Sequence, residues 1–518
     1  MAIKRYYAKS DNTITNAFEE NLVTRGTGAN MGASDILEVF SIYGQANSSS
    51  AEKSRALIKF DVTASTNSIK ADRTAGTIPA SGNVNFFLRL YNAPHGQTLP
   101  KSYDMKISAI TGTWSEGPGL DMELYKDKGD SNWINRFSSS AGHTAWTSQG
   151  GDYYTDTSSS FSASFTDGPE DIELDISMLM EQWLSSSSNA KSSTNMGSKE
   201  DEGIGIQLSG SYETAERSYY TKKFFGRGTE FFFKRPCIEA RWNSSTQDDR
   251  GNFYYSSSLA TAEENLNTIY LYNYFRGRLR NIPDIGTGKI YVSFFSGSVK
   301  DTAPTGSTLV LVTDGTYVTS VNTAAVTGGY VSTGIYSASV AITAAATPLS
   351  TLYDVWFSGG IGQAVAGATK YHTGSITPIV LTASITAPIN DYAVSITNLR
   401  DAYRGDETAR FRVYTRQRNW SPTIYSKAST TAQVQIAESG SYEVYRVIDE
   451  LKIIPYGTGN QKHTVISYDA NGSYFDLDMK MFETGYMYGI KLSFYNEDVS
   501  TWVEQPETFK FKVESRQS

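Results

Sequence analysis

The residue types that most often carry chemistry are few in this chain and far apart. Its four histidines, His95, His143, His372 and His463, fall in no HExxH, HxxxH or similar metal-ligand spacing, so they read as surface or turn residues. No GxSxG is present to build a nucleophile elbow. The stretch SGGIGQAVAGATK, from Ser358 to Lys370, spaces Gly362 and Gly367 like a phosphate-binding loop. Ala368 stands where that loop needs lysine, so a hairpin turn is the better reading. The single cysteine, Cys237 in CIEARW, can form no intrachain disulfide and reads as buried packing. Glu116, Asp121 and Glu123 around WSEGPGLD would split a glycosidic bond only if two of them came to rest across a cleft. Calcium at Asp121, or at the DANGSYFD turn near Asp469, lacks the twelve-residue loop spacing of a calcium hand. No catalytic residue, metal or cofactor is expected.

Two arginine clusters and the tryptophans carry more weight. FRGRLR places Arg276, Arg278 and Arg280 at alternate positions, and RFRVYTRQR does the same with Arg410, Arg412, Arg416 and Arg418. On strands each set would share one face, suited to an acidic neighbour or an anionic glycan because arginine forks match carboxylates. The other reading is a solvated face with intrachain partners. Charge reversal of Arg410 and Arg412 is expected to block assembly more than folding. Trp133 and Trp146 are candidates for stacking on sugar rings, whereas Trp114 and Trp183 are expected in a core.

The elements that must position these residues are strands. Ile58, Phe60 and Val62 alternate with polar neighbours, as do Val84, Phe86, Leu88 and Leu90, and Tyr103, Met105, Ile107 and Ala109. Ile172, Leu174 and Ile176, then Ile204, Ile206 and Leu208, continue the pattern. Period-two alternation between Gly, Ser, Asn and Pro clusters is what a β-sandwich requires. One segment departs: Ile176, Leu179, Met180 and Trp183 lie at i, i+3, i+4 and i+7, which predicts a short helix capped by Asp175 or Ser177.

At 518 residues the chain is too long for one core. The expected fold is all-β: a jelly-roll-like sandwich over 1–243, a polar linker at 244–258, then two smaller immunoglobulin-like sandwiches at 259–388 and 389–518. Thr313–Tyr317, TDGTY, carries an Asp-Gly hairpin signal. A formal net charge of −8 argues against nucleic acid as a partner, and no apolar run approaches a membrane span. The amino-terminal residues lack the apolar stretch of a secretory signal, so synthesis in a cytoplasm is expected.

The tryptophan-bearing turns WSEGPGLD, TAW before GGDYY and EQW, with NMGASDILEV at Asn30 to Val39 and EFFFKRP before CIEARW, resemble the DNRLRE-type sandwich family. That is a disaggregatase-related, carbohydrate-binding-module-like jelly roll, in which the glycine-rich tryptophan turn is a structural signature. The phrases IKRYYAKSDNTITNAFEENL, SDILEVFSIYGQ, YYTKKFF, EFFFKRP, NLNTIYLYN, GGYVSTGIYSASV and RNWSPTIY resemble proteins of unassigned role in contractile-tailed phages of marine cyanobacteria and their relatives. These resemblances imply a multi-copy virion protein on the neck or tail exterior, with other virion proteins and copies of itself as partners. The alternatives are a capsid decoration protein, or an adhesin touching host glycan.

Overall fold

The computed structural model describes residues 2–43, 51–64, 66–96, 100–185, 199–298, 304–308, 311–312, 322–343, 348–359, 367–379, 392–418, 421, 424, 435–437, 439–496 and 499–515. The TDGTY turn and Gly362 lie outside them. Strands dominate, as the alternation predicts, and the chain divides into two compact units.

The first unit holds 2–243 together with 459–463. Its main sheet runs Ser160–Phe165, Tyr103–Ala109, Ile204–Leu208, Glu52–Phe60, Ile3–Thr15, Cys237–Arg241, Asn85–Leu90 and Ile172–Asp175, with Tyr219–Phe225 on Ile36–Ile42 at the side of Glu52–Phe60. All these ladders are antiparallel. Ile3–Thr15 belongs to both halves. Ile3 to Tyr7 pair with Arg241 to Cys237, whereas Ala8 onward pairs with Glu52–Phe60, and the register shifts between Ala8 and Ser10. Such a bulge bends a strand and lets it pass from one layer of a sandwich to the other.

Both halves feed one core. Ile58, Phe60, Ile107, Ile204 and Ile206 meet Phe86, Leu88, Leu90, Ile238 and Ala240 there, every one of them buried. The expected helix forms at Ser177–Ser185, with Ile176, Leu179, Met180 and Trp183 buried together, and Asp175 Oδ1 accepts hydrogen bonds from the Ser177 N–H and Oγ–H. A second cluster lies behind the sheet, where Ile14, Leu57 and Ile110 pack against Trp114, Trp133 and Trp146. The face that alternation alone would leave wet is therefore covered by the tryptophan loops.

The second unit holds 244–458 and 464–515. Asn267–Tyr272, Ile335–Val340, Val326–Ser332, Ile290–Ser298, Leu352–Phe357 and Lys370–Ile376 form one antiparallel sheet in that order, joined by Pro304–Thr308 beside Ile290–Ser298. Their inward residues, Ile269, Val292, Phe294, Tyr336, Leu352 and Trp356 among them, share a core. The expectation of a linker at 244–258 is corrected by that core. Phe253 and Tyr255 are buried in it, and the Ser256 N–H donates to the Ile342 carbonyl at 2.9 Å. Polar, turn-rich composition marks irregular backbone there, but two aromatic rings supply apolar surface to bury. Arg250 adds a fork onto the fully buried Asp354, with both bonds at 2.7 Å.

Further along, a four-stranded sheet (Tyr392–Ile396, Thr408–Gln417, Gly472–Asp478, Ser467–Asp469) and a five-stranded one (Ala402–Arg404, Thr501–Glu514, Met487–Asn496, Gly440–Arg446, Lys452–Ile454) form a sandwich. Aromatic rings fill its interior: Phe475 stacks on Tyr442 at 4.3 Å and on Phe411 at 5.3 Å, and Phe411 meets Phe511 at 5.8 Å.

Candidate interaction surface

Two of the carboxylates near the tryptophan turn, Glu116 and Asp121, brace it. Glu116 Oε1 accepts the Asp11 backbone N–H at 2.8 Å and pairs with the Arg227 guanidinium at 2.9 Å. Asp121 accepts the N–H groups of Glu123 and Leu124, capping its own loop, and these bonds hold its carboxyl down against the opposing effect of burial. The carboxylate oxygens of Glu116 and Asp121 thus take part in holding these loops. Asp469 is committed likewise, to Arg412. Among the described residues no group of three or more His, Cys, Asp or Glu is placed to hold a metal. Burial pushes the Cys237 thiol up to about 12, with Glu239 adding to the shift, so it stays protonated.

Two buried asparagines lock the same loops. Asn30 Nδ2 donates to the carbonyls of Glu116 and Ser131, and its Oδ1 accepts from the N–H of Gly119 at 3.0 Å. Asn12 Nδ2 donates to the Ser131 carbonyl and its Oδ1 accepts from the Met31 N–H. The backbone approaches so closely that a Cβ on Gly119 would lie 1.8 Å from the Asn30 carbonyl oxygen. Sequence reading missed both asparagines, although the Asn-Met-Gly at Asn30 and the Gly-Pro-Gly at Gly117 were a signal of tight contact.

Trp133 and Trp146 are corrected from glycan candidates to core. Each is only 5% exposed, Trp146 Nε1 donates to the Asn132 carbonyl at 2.9 Å, and Trp133 carries the Arg55 guanidinium over its ring. Trp114 and Trp183 are buried as expected.

The arginine clusters separate sharply. In the strand Thr408–Gln417 the arginines share one face, opposite the buried Ala409, Phe411 and Val413, but two of them are already paired. Arg410 forks onto Asp476 at 2.8 and 2.9 Å, Arg412 forks onto Asp469 at 2.7 and 2.8 Å, and both lie over Tyr474. Arg418 reaches the Tyr392 carbonyl and Glu507, and Arg416 also has a partner. This stripe is corrected from a free docking face to an internally neutralised one: reversing Arg410 and Arg412 would set like charges against Asp476 and Asp469 and act on folding.

FRGRLR is not a single strand. Tyr274–Phe275 pairs with Arg278–Leu279 around a two-residue turn, Arg276–Gly277, whose φ values of +51° and +74° are those of a type I′ hairpin. Arginine in the left-handed region carries a steric cost that asparagine or glycine there would reduce. The base is fixed: Asn273 Nδ2 donates to the Arg280 carbonyl at 2.6 Å, the Asn273 N–H to the Gly334 carbonyl at 2.7 Å, and the Gly334 N–H to Asn281 Oδ1 at 2.7 Å. Tyr274 is 60% and Phe275 53% exposed, and Arg276, Arg278 and Arg280 are exposed beside them. Among the described residues none of the three guanidinium groups has an ion pair or a side-chain hydrogen bond; Arg276 and Arg280 instead lie over the Phe275 ring, at 5.3 and 5.4 Å. The exposed Tyr330 and Val331 lie at the end of the strand Val326–Ser332, which leads into the turn at Gly334.

No protein-family model matches this chain, and no curated protein matches it. Among solved structures, a marsupial T cell receptor is similar at 11% identity and a TM-score of 0.16, over 52% of this chain and 72% of that one. The native form of E. coli alpha-2-macroglobulin is similar at 9% identity and a TM-score of 0.15, over 88% of this chain and 21% of that one. Neither score establishes a shared fold.

Proposed function

We propose that this chain is a non-enzymatic structural protein of a tailed-phage virion, assembling in multiple copies on the neck or tail exterior through the surfaces of its β-domains. One contrast supports an assembly role. Glu116 and Asp121 are engaged in bracing loops, while among the described residues the hairpin segment Tyr274–Arg280 holds three arginines and two aromatic rings without carboxylate partners. Aromatic residues and arginine are the types enriched where protein interfaces concentrate their binding energy. The virion assignment itself rests on the resemblance of sequence phrases to proteins of contractile-tailed phages. Mass spectrometry of purified particles, followed by cryo-electron microscopy of particles carrying a tagged copy, tests it. Several copies per particle at the neck or tail are expected; density on the capsid favours decoration, and absence from particles overturns the proposal.

A further inference from the structure

The hairpin is specific enough to say what kind of partner it takes. We infer that the tip formed by Tyr274, Phe275, Arg276, Arg278 and Arg280 docks on a partner protein that presents clustered carboxylates. The inference rests on reading the chain as an assembly protein, and three observations carry it.

Charge is the first. The chain has a formal net charge of −8, and many of its arginines are paired with its own acids: Arg410 with Asp476, Arg412 with Asp469, Arg250 with Asp354 and Arg55 with Glu213. Among the described residues Arg25, Arg217 and Arg235 also lack a carboxylate but donate to oxygens of their own chain, whereas Arg276, Arg278 and Arg280 are neighbouring, exposed and without either, and a guanidinium fork matches a carboxylate bidentately.

Shape is the second. A two-residue turn makes a narrow projecting tip, held at its base by the Asn273, Gly334 and Asn281 bonds, so it meets a partner already ordered. A convex tip suits a concave patch on a protein.

The third is the state of the aromatic ring. Phe275 already carries Arg276 and Arg280 over it, so its π face is not open for stacking on a sugar, which leaves Tyr274 as one ring without a platform. The same contacts rest the two guanidinium groups against the ring, side by side at the exposed tip.

The test uses the purified full-length protein with poly-L-glutamate, heparin and duplex DNA as probes, measured by calorimetry at low and high salt. Poly-L-glutamate is expected to bind in a salt-sensitive way. Combining Arg276→Gln, Arg278→Gln and Arg280→Gln is expected to weaken it about tenfold or more, with the melting temperature unchanged. Replacing the same three by lysine, which keeps the charge and loses the forks, is expected to fall between. Should the glutamine variant melt early, the lysine variant decides, and binding equal to the parent's then overturns the inference. Unchanged poly-L-glutamate binding in the glutamine variant overturns it, as does arginine-dependent preference for heparin or DNA. Self-association in analytical ultracentrifugation that the glutamine variant abolishes also overturns it, since the occupant would be a second copy. A negative result here leaves presence in particles untouched, and absence from particles leaves this measurement standing.

Discussion

Asp11 and Glu239 show burial and neighbours setting opposite dependences on pH in one unit. Asp11 is 1% exposed; burial first, and then Glu116, raise its carboxyl to about 7 even though the Arg227 N–H bonds to it. Its ordinary value is 3.8, so the native state keeps the proton between the two values. Its stabilising contribution is complete below about 3.8 and is lost as the pH rises through about 7. Asp11→Asn, which can still accept from Arg227, should reduce the loss of unfolding free energy between roughly pH 4 and 7 by on the order of 2 kcal/mol, read from urea unfolding at each pH. Parallel curves for variant and parent would show that Asp11 does not titrate there. Glu239 runs the other way. Burial alone would raise it, but Arg5, Arg89 and Arg241 around it hold it down at about 2. That stability is present above the ordinary 4.5 and disappears as the pH falls through about 2. Glu239→Gln leaves three buried guanidinium groups short of their acid and should cost about 3–5 kcal/mol in denaturant unfolding at neutral pH. Neither role was legible beforehand, because a lone letter in a strand does not reveal which charges its neighbours bring across the ladder.

At the scale of elements, strands were readable and loops were not. Phe86, Leu88 and Leu90 declare their shared face through side-chain alternation, a local property that pairing preserves. The Ser177–Ser185 helix was readable for the same reason at a different period. The FRGRLR segment misled because a strand reading ignores that Arg-Gly can be the turn itself, and only the pairing of Phe275 with Arg278 reveals it. Arg410 and Arg412 misled differently: their face was right, but Asp476 and Asp469 arrive from strands more than fifty residues downstream. Trp133 and Trp146 sit in loops, whose path over the sheet no periodicity encodes. That path leaves no slack at Gly119, so Gly119→Ala must displace backbone and is expected to destabilise by about 2–4 kcal/mol. Thermal unfolding measures this, and a melting temperature equal to the parent's would show that the loop yields freely.

For the molecule as a whole, the all-β class followed from composition and alternation, while the way the chain closes did not. Nothing local marks Cys237–Arg241 as the strand beside Ile3–Tyr7. Ile238 on that strand is fully buried between the halves of the first unit, so Ile238→Asp sets an unpaired charge in the core. The variant should lose the tryptophan packing of the first unit, read as a red shift of emission at the same temperature, and unshifted emission would mean that the halves close without it. The pairing of Ile3 with Arg241 also imposes a schedule on the ribosome. At roughly 5–20 residues per second, the opening strand waits on the order of ten to fifty seconds for its neighbour to be synthesised. During that wait its hydrogen-bonding edge is open to any other nascent chain, so translation speed and chaperone supply become determinants of yield.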